Sequence, residues 1–85
     1  MPWTEEASPR VFEWKGWRFE FYSLDRFEPP HVHIRKDRKE TKIWLERLAI
    51  ARNKRCTDKE LHQLLGALTA HQQEFLEKRH EHFGN

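Results

Sequence analysis

The chain has one cysteine, Cys56, among 85 residues. An intrachain disulfide is therefore impossible, and a zinc site built on several thiolates is excluded. No apolar run approaches the roughly 20 residues that a membrane-spanning helix needs. No stretch reads as a signal peptide. These absences lead to the expectation of a cytoplasmic protein with no membrane partner. Glycine is scarce, at three residues, and neither a glycine-rich phosphate loop nor a zinc-protease helix motif is present. Apolar residues make up only 36% of the chain and charged residues 35%. Internal repeats and low-complexity segments are also missing.

What is present is aromatic mass. Four Trp and six Phe compensate for the thin apolar content, since each large ring buries on the order of 150–250 Å². The length predicts a single domain with one modest core. The net charge of +2 permits an acidic partner without demanding one. Its distribution says more. Arg35, Lys36, Arg38, Lys39 and Lys42 crowd one hairpin, and Arg52, Lys54 and Arg55 crowd a later segment.

The stretch Phe27-Glu28-Pro29-Pro30-His31-Val32-His33-Ile34 organises the rest. Two prolines cannot sit inside a helix or a central strand, so they stiffen the approach to one. His-Val-His-Ile then alternates with a strand's period of two. His31 and His33 leave one face of that strand, and Val32 and Ile34 leave the other.

Residues 1–10 read as a flexible arm, and 11–85 as one domain. Val11–Trp14 and Trp17–Tyr22 form a hairpin about Lys15-Gly16, with Trp17, Phe19 and Phe21 turned inward. His31–Lys36 and Glu40–Leu45 are the third and fourth strands. Leu48–Ala51 is either a fifth strand or a packed crossing segment. Thr57-Asp58-Lys59-Glu60 fits a capping box. The apolar positions from Leu61 to Phe83 then follow one long amphipathic helix. The expected fold is α+β: an antiparallel sheet of four to five strands, covered on one face by that helix. The other face, carrying Arg18, Glu20, Tyr22, His31, His33, Arg35, Lys42 and Trp44, is expected to be exposed.

Phe21-Tyr22-Ser23, Pro29-Pro30-His31-Val32-His33-Ile34-Arg35, Lys42-Ile43-Trp44-Leu45-Glu46 and Leu48-Ala49-Ile50-Ala51-Arg52-Asn53, with a closing helix, resemble the bacterial DUF4160 family over residues 12–83. That family has no settled activity. The resemblance implies a gene context of toxin–antitoxin type, with an antitoxin-like protein as the cognate partner.

Three chemistries fit the outward residues. His31, His33, Arg35 and Tyr22 are candidate catalytic groups, because an imidazole titrates near working pH and cations beside it suit a phosphate. Arg18, Lys42, Trp44, Arg38 and Lys39 are candidate contacts to RNA or DNA, or to a protein partner or second copy of the chain. His31 and His33, with Asp25 and Glu28 from the adjoining loop, are candidate metal ligands. The residues specify no cofactor. The functional expectation is a toxin–antitoxin-type component acting on or binding nucleic acid or a partner protein. The alternatives are a non-enzymatic protein–protein interaction module and a small metal-binding domain.

Overall fold

The computed structural model describes residues 7–22 and 27–83. Five strands come first, β1 (Ala7–Trp14), β2 (Trp17–Tyr22), β3 (His31–Lys36), β4 (Lys39–Trp44) and β5 (Ala49–Lys54). Two helices follow, α1 (Asp58–Ala70) and α2 (Gln72–Phe83). The strands form one antiparallel sheet in the order β1-β2-β3-β4-β5. The expected α+β class is therefore observed, and the segment left undecided between strand and crossing is a strand.

Local chemistry accounts for most of the turns. Lys15 and Gly16 both take positive φ, 50° and 85°, as a twist-matched two-residue hairpin connection requires. The Lys36 ammonium ties this turn down by donating to the Lys15 carbonyl at 3.2 Å. Asp37 turns the next hairpin at φ 56°, a conformation its short polar side chain tolerates better than most. In β5 the register jumps between Lys42↔Arg52 and Ile43↔Ile50, so one extra residue bulges the edge strand. Thr41 Oγ1 donates to the Arg52 carbonyl at 2.7 Å across it.

Two details differ from the sequence reading. Strand β1 begins at Ala7, so residues 7–10 of the expected arm pair with β2; residues 1–6 lie outside the described residues. The single long helix is two helices, interrupted at His71 (φ −125°, ψ 21°). Beside it the Gln72 side-chain amide donates through Nε2 to the carbonyls of Leu45 at 2.7 Å and Glu46 at 3.1 Å. The apolar spacing continues across a one-residue break, so periodicity alone does not see it.

One face of the sheet and one side of each helix make the core. Trp17, Phe19 and Phe21 of β2 are buried with Val32, Ile34, Ile43 and Leu45, under Leu61, Leu64, Leu68 and Phe75. Phe75 of α2 stacks on Phe19 with ring centroids 5.5 Å apart. It meets Phe12 edge-on at 5.6 Å. Burying each such side chain stabilises the fold by about 1.5–3 kcal/mol.

Helix α1 starts on the expected capping box. Thr57 Oγ1 accepts from the Glu60 amide at 3.1 Å, and Glu60 Oε1 accepts from the Thr57 amide at 2.9 Å. Gly66, in mid-helix, is exposed, and a Cβ there would meet nothing within 4 Å. No neighbour in the structure therefore requires a glycine at this position. Gly66→Ala should therefore stabilise the protein by about 0.5–1 kcal/mol, because it removes only the backbone entropy of glycine. Urea denaturation checks this; a destabilised variant would mean the position is packed.

Candidate functional site

Strand β3 is the middle of the five, so side chains of β2 and β4 flank it on both faces. Val32 and Ile34 lie in the core at 0% exposure. His31 and His33 point to the opposite face, as the alternation requires. They are not exposed there, at 3% and 4%, and neither is Glu20, at 9%. This corrects the expectation of imidazoles on an open surface. The reason is lateral: long side chains of the neighbouring strands and of the proline loop fold over the pair.

The His31 and His33 rings meet edge to face with centroids 5.1 Å apart. Trp44, opposite His31 in the register, closes one end, its ring centroid 5.5 Å from that of His31. His31 Nδ1 lies 2.9 Å from the Pro29 carbonyl. A carbonyl only accepts, so Nδ1 carries the proton, and Nε2 holds the lone pair when the ring is neutral. His33 Nδ1 lies 3.7 Å from Glu40 Oε2.

Ion pairs ring these imidazoles. Arg35 binds Glu20 with two bonds, Nε to Oε1 at 3.1 Å and Nη2 to Oε2 at 3.3 Å, the fork geometry that makes guanidinium–carboxylate pairs strong. Lys42 donates to Glu28 Oε1 at 2.6 Å and holds its ammonium 4.8 Å from the centre of the Trp44 ring. The proline loop is fixed from two sides. Leu45 N–H donates to the Pro30 carbonyl at 2.9 Å, and Arg79 of α2 donates to the Glu28 carbonyl at 3.0 Å.

The structure thus brings together His31, His33, Arg35, Lys42, Trp44 and Glu28. The Tyr22 side chain and Asp25 lie outside the described residues. Among the described residues no group of three or more His, Cys, Asp or Glu is placed to hold a metal ion. Arg18, half-buried, stands opposite Arg35 in the register rather than over the imidazoles. Arg38 and Lys39 lie further off. They line a cleft of about 280 Å³ with Arg35, Asp37, Glu40, Lys54 and Arg55. Glu20 and Glu40 join the site beyond the candidate residues, Glu20 through Arg35 and Glu40 beside His33; period two already sets Glu40 on one face with Lys42 and Trp44. Arg52 and Lys54, opposite Lys42 and Glu40 on β5, share the imidazole face as well; β5 has no apolar period from which the sequence could place them there.

Cys56 is buried, and burial pushes its thiol above the usual range. Its position just before a helix N-terminus beside Lys54 and Arg55 therefore does not acidify it. Lys39 is committed to Glu60. This contact raises the Lys39 pKa, and it holds the Glu60 carboxyl below its ordinary value, helped by the Thr57 amide.

A carboxyl whose pKa falls on folding contributes stability above its unfolded pKa, and the contribution is lost as pH drops through the folded one. A lysine whose pKa rises contributes below its unfolded pKa and loses the contribution in alkali. Glu60→Gln, which retains the capping geometry, should therefore lose less stability than the parent as the pH falls below the ordinary glutamate pKa of about 4.3. Thermal melts across that range check this; parallel curves would mean that the pair is not linked to folding.

No curated protein and no solved structure matches the chain. Residues 16–79 match the family described as Domain of unknown function (DUF4160). That span includes the proline loop, the histidine pair, Trp44, the basic strand β5 and most of the helical cover, so the chain belongs to the DUF4160 family.

Proposed function

We propose that this domain binds single-stranded nucleic acid across the helix-free face of its sheet, as one component of a toxin–antitoxin-type pair. The observation that carries the reading is the arrangement of cations on that face. Lys42 and Arg52 are opposite one another on β4 and β5, with Lys54 two residues on. Arg38, Lys54 and Arg55 then extend the basic surface into the cleft at the β3–β4 turn. Arg52, Lys54, Arg55 and Arg38 are exposed, whereas Glu20 on the same face is occupied by Arg35. A phosphate backbone crossing this face meets more cation than carboxylate at its β5 margin, and releases counterions on binding.

Burial of the histidines favours binding over cleavage. A general base must come within hydrogen-bond reach of the proton it takes. At 3% and 4% exposure, His31 and His33 are roofed by the surrounding side chains. Their role in this reading is to hold Trp44 and the carboxylates in place.

The test is fluorescence anisotropy with single-stranded RNA at low and rising salt. Binding should weaken steeply with salt. Arg52→Ala with Lys54→Ala should weaken binding at least tenfold and lower the salt slope by about 0.7 for each phosphate no longer neutralised. Absence of binding to both RNA and single-stranded DNA at low salt would overturn the proposal.

A further inference from the structure

The basic face ends, on the far side of Trp44, in a second concavity. Pro29, Pro30, Trp44, Glu46 and Arg47 line a space of about 280 Å³. Drug-sized ligands occupy roughly 300–1,000 Å³, so this one suits a single flat ring system. Its walls are an indole and two proline rings. Its polar groups are one carboxylate and one guanidinium. Among the described residues neither the Glu46 carboxylate nor the Arg47 guanidinium engages an ion-pair partner. Both are exposed, although the cations and carboxylates nearer the imidazoles are largely paired.

We infer that this pocket takes one nucleobase, and that the base it selects is guanine. The inference rests on the nucleic-acid reading above and adds to it a base-recognition site. Stacking on the indole is open to any base, since every base has a π-face. Selection comes from the carboxylate. Guanine presents two adjacent donors on its Watson–Crick edge, N1–H and N2–H, and an ionised carboxylate is acceptor-only with two oxygens to match them. Adenine puts an acceptor at N1, which faces the carboxylate lone pairs. Uracil offers one donor between two acceptors, and cytosine one donor beside an acceptor.

The Arg47 guanidinium complements the remaining guanine edge, where O6 and N7 both accept. The pocket is also well placed along the strand path. Glu40, at the cleft end, and Trp44 are four residues apart on β4, about 13 Å at the usual rise. A short single strand reaches from one to the other over Lys42 and Arg52.

The pocket is stiff, which reduces the entropic cost of filling it. The prolines fix φ on one side, the Leu45–Pro30 hydrogen bond holds the loop to β4, and His31 and Lys42 seat the indole.

The experiment uses the full chain and four RNA pentamers, each with four uridines and a central guanosine, adenosine, cytidine or uridine, titrated by calorimetry at fixed low salt. The guanosine pentamer should bind about tenfold or more tightly than the others. Glu46→Gln should collapse that preference, so that the guanosine and uridine pentamers bind the variant within about twofold of each other. Trp44→Phe should keep the preference, and Trp44→Ala should abolish it.

Equal affinities for all four pentamers, each salt-dependent, would overturn the guanine pocket and leave the nucleic-acid reading standing. Failure of all four to bind would overturn both. A guanine preference that survives Glu46→Gln would overturn this assignment of the site. Glu46 is exposed, so that variant is expected to fold, and an unchanged thermal melt confirms it.

Discussion

Strand β3 is buried on both faces, and the rest of the structure answers to that constraint. On one face Val32 and Ile34 fill an ordinary aromatic and aliphatic core beneath two helices. On the other, His31 and His33 sit under neighbours that are themselves charged. A strand in this position is normally apolar throughout. Polar side chains there must have partners, since an unsatisfied buried polar group costs on the order of 1–3 kcal/mol. The Pro29 carbonyl meets that demand for His31 Nδ1, and the stiff Pro29-Pro30 segment is what brings the carbonyl within reach.

The charged roof contributes differently from the core. Arg35–Glu20 is bidentate, with a largely buried carboxylate and a guanidinium still in contact with solvent. A half-exposed pair of this kind contributes little net stability, because desolvation offsets most of the Coulombic gain. What it does is fix positions. Glu20 is tied to Arg35 and Glu28 to Lys42, so each of these two carboxylates is matched by a cation of the same face. The cations beyond Lys42, on β5 and the β3–β4 turn, are left facing outward. The surface is basic by arrangement more than by composition, which explains how a chain of net charge +2 presents a cationic margin.

Much of this was legible in the residues. Alternation in Trp17–Phe21 and His31–Lys36 assigned both faces of β2 and β3, and Lys15-Gly16 marked its hairpin. Thr57 and Glu60 marked the start of α1 to the residue. Three features were not legible. At the break at His71 the Gln72 side-chain amide meets the Leu45 and Glu46 carbonyls, groups far away along the chain that no local pattern connects. Strand β5 carries a bulge and too few apolar residues to show a period. The burial of the imidazoles depends on strand order, because only a central strand has charged neighbours on both sides to close over it.

The one-dimensional pattern decided which residues point the same way, because period two and period 3.6 are properties of a backbone and need no neighbours. It set the aromatic face, the histidine face, the hairpins and the helix cap. Three-dimensional packing decided what each face meets. It made the histidine face an interior rather than a surface, because solvent access depends on the length and charge of side chains from adjacent strands, and those adjacencies exist only once the sheet has formed.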